Sequence, residues 1–159
     1  MKEAIGGSWI TLIVITFIVL FASFMSLSIN WSKTYKVKDE IVLAIERNNG
    51  VNPDSLEQIG SYMADLGYRT IGDKCPDHYV GFTYDGTKTY SSPSYCIKAN
   101  FVGATATGHK SFTAYYSIVV FFRLDVPIIR HIIKLDLEAN TKIILPRTDD
   151  LVAKRGKEY

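Results

Sequence analysis

From Ser8 to Trp31 the chain reads SWITLIVITFIVLFASFMSLSINW, 24 residues without an Asp, Glu, Lys or Arg. A helix needs about 20 residues to cross the ~30 Å hydrocarbon core of a bilayer. Residues 8–31 are therefore predicted to be a transmembrane helix. Trp9 and Trp31 lie 22 residues apart, which at ~1.5 Å per residue is about 33 Å. That spacing predicts one indole at each membrane boundary, where Trp side chains anchor a spanning helix. A cleaved secretory signal would carry an apolar centre of about 7 to 15 residues behind a basic start. This run is longer, and the only base before it, Lys2, stands beside Glu3. Residues 1–7 are read as a short leader or cytoplasmic N-terminus.

The remainder of the composition limits what such a helix can carry. The chain has 159 residues, 18 Lys+Arg against 16 Asp+Glu, and a net charge of +2. That length holds one domain and an appendage, not a multidomain enzyme. The small net charge is spread along the chain, so nucleic acid is not expected as a partner, since that calls for basic residues gathered on one face. Aromatic residues make up 13% and charged residues only 21%, a balance that buries surface and excludes a disordered chain.

Helical periodicity continues past the apolar run. Val37, Ile41, Ala44 and Ile45 follow i, i+4, i+7 and i+8, with Lys33, Lys36, Glu40 and Arg47 largely on the other side. Residues 32–50 are thus an amphipathic continuation of the same helix, ending at Asn48-Asn49-Gly50. The prediction is one rod of about 40 residues and ~60 Å. A second helix follows, with Asn52 as its cap, Pro53 in its first position, Leu56, Ile59, Met63 and Leu66 as its apolar stripe, and Gly67 as a left-handed terminator.

Beyond Tyr68 the period changes to two, with β-branched and aromatic residues between turn signals. Tyr79–Tyr84 and Thr87–Tyr90 flank Asp85-Gly86, a pair suited to a tight two-residue hairpin turn. Tyr95–Val102 and Ser111–Leu124 read as longer strands. In the latter, Phe112, Ala114, Tyr116, Ile118, Val120 and Phe122 share one face, while Val119 and Phe121 make the other apolar too, so this strand is expected to be central and covered on both sides. After Asp125-Val126-Pro127, the IIRHII segment leads to a last strand around Lys134–Ile144. Residues 51–145 form an α+β domain, and 146–159 read as a polar, solvated tail containing Asp149, Asp150, Lys154, Arg155 and Lys157. The fold class is α+β: a long N-terminal helix packed on a small antiparallel sheet.

Orientation is contested within the sequence. Lys2 precedes the apolar run and Lys33, Lys36 and Lys38 follow it, which by the positive-inside rule places the domain in the cytoplasm. Cys75 and Cys96, the only cysteines, lie in loop-like surroundings and suit a disulfide in an oxidising compartment. Such a bridge would close a loop of about 20 residues and stabilise the domain by roughly 3 kcal/mol. Two unpaired thiols are the alternative.

No catalytic constellation stands out. His78, His109 and His131 sit in separate segments, with no nucleophile elbow, no paired histidines at helical spacing and no phosphate-binding glycine loop. Asp73, Asp77 and His78 beside Cys75 resemble ordinary turn polarity more than a metal site. No catalytic residue, cofactor or metal is expected. Ten tyrosines are present, and Tyr79, Tyr84, Tyr90 and Tyr95 gather around the hairpin, either as a binding surface or as filling for a sheet face.

Two stretches carry a family resemblance. GGSWITLIVITFIVLFASFMSLSINWSKTYKVKDEI resembles the N-terminal helix of type IV pilin-like proteins, in particular the minor pilins of tight-adherence (Tad) pili and their Gram-positive relatives. FFRLDVPIIRHIIKLDLEANTKIIL is similar to the strand, Pro-containing crossover and strand at the C-terminal end of that group. Together they cover over a third of the chain. The resemblance implies a non-enzymatic subunit, single-pass in the cell membrane with its domain outside. Its partners would be membrane lipid and, through the apolar helix, other pilin-like subunits of a bacterial adhesion or secretion filament. It also implies a prepilin peptidase cutting between Gly7 and Ser8. Where pilins carry a glutamate early in the mature helix, this chain has Leu12, which points to a minor or initiating component. The competing expectation is a tethered extracellular binding or adhesion domain that never assembles.

Overall fold

The computed structural model describes residues 2–102, 113–125 and 132–153. Lys2–Arg47 forms one unbroken helix, α1, of 46 residues, about 69 Å long at ~1.5 Å per residue. It stops at the expected signal. The Asn48 amide still donates to the Ala44 carbonyl at 3.1 Å, but Asn49 turns to φ 50° and Gly50 to φ 132°. Gly50 serves a second purpose there, because a Cβ at that position would collide with the Asp150 carboxylate.

Pro53–Leu66 forms α2. At its start the Asn52 Oδ1 accepts from the Ser55 amide at 2.9 Å while the Ser55 Oγ accepts from the Asn52 amide at 3.0 Å. This reciprocal capping box satisfies two donors that a helix start otherwise leaves unpaired. At its end Gly67 adopts φ 64°, the Gly67 amide donates to Ala64 and the Tyr68 amide to Met63, the closure of a Schellman motif. Leu56, Ile59 and Met63 are buried and Leu66 is partly buried, as the stripe predicts.

Five strands follow: β1 Val80–Phe82, β2 Lys88–Thr89, β3 Tyr95–Val102, β4 Thr113–Asp125 and β5 Ile132–Asn140. They form one antiparallel sheet in the order β2-β1-β3-β4-β5. Since successive side chains alternate faces, the pairs Tyr95↔Val120 and Ile97↔Ile118 put their side chains on one face, and Cys96↔Val119 puts its own on the other. The first face, with Ala114, Tyr116, Ile118 and Val120, joins Val37, Ile41, Ala44 and Ile45 of α1 in the main core. All four α1 residues are essentially inaccessible to solvent. On the opposite face Cys96, Val119 and Phe121 form a second cluster beneath Cys75 and Tyr79. β4, flanked by β3 and β5, is therefore covered on both sides. Phe112 and the segment Val126–His131 lie outside the described residues.

Two expectations need correction. The hairpin loop holds three residues, Tyr84-Asp85-Gly86, because Phe82 pairs with Lys88 and the Thr83 amide meets the Thr87 carbonyl at 2.9 Å. The Gly86 amide donates to Thr83 at 3.1 Å and Gly86 has φ 80°, a type I turn followed by a left-handed glycine. The second correction concerns the tail. Asp150 and Val152 are buried, and the chain is tied down by Arg147 N–H to Asn49 O at 3.0 Å and Leu151 N–H to Val51 O at 2.7 Å. The folded head thus extends to Ala153 rather than ending at 145. Lys154, Arg155 and Lys157 lie outside the described residues.

Candidate functional site

The head covers α1 only from Thr34 onward. From Ser8 to Trp31 the helix projects with apolar side chains on every side. Fifteen large hydrophobic residues between Trp9 and Trp31 are exposed, among them Phe17, Leu20 and Phe24. Leaving one such side chain in water instead of burying it costs roughly 1.5–3 kcal/mol. Together they outweigh the roughly 5–15 kcal/mol that holds a whole domain folded. An apolar surface of this size therefore requires a second phase or a partner.

Two of the rod's polar side chains are arranged for an apolar surrounding. The Thr16 hydroxyl donates to the Leu12 carbonyl at 2.8 Å and the Ser23 hydroxyl to the Val19 carbonyl at 2.8 Å. Each donor is thereby satisfied inside the helix, as hydrocarbon demands. By length and composition the helix can cross a membrane, which is compatible with a single-pass anchor. Trp9 and Trp31 are both exposed at the ends of the apolar stretch. The Trp31 ring lies 5.3 Å from that of Tyr35, and the Lys38 ammonium sits 4.6 Å from the Tyr35 ring centroid. Aromatic rings followed by an ammonium group make the profile of a membrane interface. Gly7 and Ser8 both lie within α1, and Leu12 is exposed on the rod.

At the far side of the sheet Cys75 and Cys96 are joined in a disulfide with Cα atoms 5.8 Å apart. The bridge pins the loop after α2 to β3. The same loop is fastened by the Tyr68 hydroxyl, which donates to the Phe121 carbonyl, and by the Gly72 amide, 2.7 Å from the Pro93 carbonyl. Burial pushes the Tyr68 phenol well above the ordinary tyrosine range, offset in part by the Thr70 hydroxyl. Gly81 admits the bridge, because a Cβ there would stand 2.6 Å from the Thr89 carbonyl and 3.0 Å from the Cys75 Sγ.

The tyrosines around the hairpin divide. Tyr95 is fully buried and stacks on Phe82 with ring centroids 5.5 Å apart, whereas Tyr84 and Tyr90 are exposed. Tyr79 lies partly covered beneath the Lys98 ammonium. Cys75 is engaged in the disulfide while Asp77 and His78 are exposed. Among the described residues no three His, Cys, Asp or Glu side chains converge as metal ligands. His109 and His131 lie outside the described residues.

Two features escape the sequence reading. One is Asp150, whose carboxylate accepts from the Val51, Val152 and Ala153 amides and from the Tyr116 hydroxyl at 2.6–2.8 Å. The adjacent Leu151-Val152 pair, apolar within a polar tail, is the sequence signal that marks this segment as docked. The other is a hollow at the root of the head, between Asn30, Lys33 and Thr34 of α1 and Gly67, Arg69 and Thr70 after α2. The chain matches no protein-family model, no curated protein and no solved structure.

Proposed function

We propose that the chain is a membrane-inserted, pilin-like structural subunit, a minor or initiating component of a type IV or Tad-like filament. The observation that carries this reading is the continuity of α1. One helix is exposed and apolar over residues 8–31 and then becomes the spine of the head's core from Thr34 to Ile45. A helix that is apolar all round can be covered by lipid or by copies of itself. The same surface then serves a subunit stored in the membrane and one assembled in a filament. The Cys75–Cys96 bridge supports a head exported to an oxidising compartment, against the lysine count.

Leu12, in the place of the family's glutamate, fits a minor or initiating component and equally a helix that is never processed, which gives the second reading: an extracellular binding or adhesion domain permanently tethered by α1. Intact mass of the native protein separates the two. Loss of residues 1–7 is expected for the filament subunit, since peptidase processing precedes assembly. An unaltered Met1 end would overturn it in favour of the tether.

A further inference from the structure

We propose that the hollow at the root of the head binds the phosphate group of an anionic membrane phospholipid, an inference that rests on the membrane reading of α1. The site is composed by two elements. Asn30, Lys33 and Thr34 stand at i, i+3 and i+4 and so share one face of α1, and Gly67, Arg69 and Thr70 close the opposite wall as the chain leaves α2. The hollow has a volume of about 60 Å³ and opens to the surface.

Its depth is set by its neighbours. Trp31, the interfacial end of the apolar stretch, directly follows Asn30, and Lys33 is only ~3 Å further along the axis. With the rod in a bilayer, the hollow therefore faces the phospholipid headgroups. Its chemistry is one-sided. Lys33 lines it from α1 and Arg69 from the segment after α2, and no Asp or Glu lines the space. Among the described residues neither cation makes an ion pair, unlike Lys38, which lies 3.3 Å from Asp39, or Lys142, 3.7 Å from Glu46. A guanidinium presents a planar fork matched to phosphate oxygens, and an ammonium adds a point charge. The Asn30 side-chain amide offers a further donor, whereas the Thr34 hydroxyl is already committed to the Asn30 carbonyl at 3.0 Å.

The end of α2 does not already use the two cations. Two of its last four carbonyls, those of Ala64 and Met63, are met by the Gly67 and Tyr68 amides rather than by Lys33 or Arg69. The end of α2 and α1 thus bring together two cations that make no ion pair among the described residues. A bound phosphate would fix the head's tilt on the membrane as well as its height.

The full-length protein in nanodiscs of phosphatidylglycerol and phosphatidylcholine, released into mild detergent and weighed by native mass spectrometry, tests this. Wild type is expected to retain a phosphatidylglycerol that the Lys33→Gln/Arg69→Gln variant loses. The Lys36→Gln/Lys38→Gln variant, which sheds the same charge nearby, should retain it. The retained fraction should be about tenfold or more lower for Lys33→Gln/Arg69→Gln than for Lys36→Gln/Lys38→Gln, since the general attraction of an anionic surface for cations falls equally in both and only the site's own charge-assisted hydrogen bonds to phosphate distinguish them. Equal retention, or equal loss, in the two variants overturns the site. Wild type that retains no phosphatidylglycerol yet binds inorganic phosphate overturns the lipid assignment and leaves a free-anion site. Flotation of all three proteins with phosphatidylcholine vesicles reports separately on α1: failure to float sinks the membrane reading, whereas flotation with unselective retention sinks only this proposal.

Discussion

The Tyr116 hydroxyl donates to the Asp150 Oδ2 at 2.6 Å, joining β4 to the last described turn of the chain across 34 residues of sequence. The same carboxylate receives the Val51 amide at 2.7 Å, so one buried side chain ties the sheet, the α1–α2 corner and the C-terminal segment together. Hydrogen bonds to a charged acceptor contribute about 1.5–3 kcal/mol each, and a buried donor left unpaired costs about 1–3 kcal/mol. Asp150→Ala should therefore destabilise the head by about 4 kcal/mol and Tyr116→Phe by about 2 kcal/mol. Denaturant titration of the detergent-solubilised protein measures both. If Asp150→Ala costs no more than a surface substitution, the carboxylate is not the clasp described.

Removing the bridge gives a second stability test. Cys75 and Cys96 are separated by 21 positions, and opening such a loop releases about 3 kcal/mol of restrained unfolded-state entropy. Cys75→Ser/Cys96→Ser should lower the melting temperature on the order of 10 °C. Intact cells should show no thiol labelling at either cysteine until a reductant is added. Labelling without reductant, and only after permeabilisation, would put the head on the cytoplasmic side.

Alkaline pH should weaken the head. Burial raises the Tyr68, Tyr95 and Tyr116 phenols far above the ordinary value of about 10. For Tyr95 the Asp85 charge adds to burial, and for Tyr116 the Asp150 hydrogen bond and charge do. With a folded pKa above the unfolded one, the folded state binds more protons above pH ~10, so stability is whole below that value and falls as pH rises past it. Tyrosinate absorbance and circular dichroism recorded together should change in one cooperative step. Ionisation of all ten tyrosines before any unfolding would contradict the burial of these three.

The rod is open to a charge test. Lysines at the centre of a spanning helix cost roughly 2.5–3.5 kcal/mol each on insertion. Ile18→Lys combined with Phe21→Lys should move a large share of the chain out of the carbonate-resistant membrane fraction. The head should melt unchanged, because neither side chain touches its core. Full retention in the membrane would show that the rod's middle is not held in hydrocarbon.

Much of this architecture is legible in the sequence because its signals are local. The end of α1 is written in Asn48-Asn49-Gly50, and both caps of α2 in Asn52, Pro53 and Gly67. The two-sided burial of β4 follows from Val119 and Phe121 alternating with Ile118 and Val120. What the sequence conceals depends on distant partners. Asp150 reads like its neighbour Asp149, and only Tyr116 and Val51, brought up by the fold, distinguish it. The hollow likewise joins Lys33 to Arg69, two residues that no periodicity connects. The hairpin was open to a local error, since Asp85-Gly86 fits a two-residue turn, yet the pairing of Phe82 with Lys88 sets three residues.

Shearing intact cells and probing the released surface filaments for this chain tests the subunit reading most directly. The expected result is the chain in the sheared fraction, its disulfide intact, with Ser8 as the first residue. A chain that stays wholly with the cell body, even when filaments are shed, contradicts it.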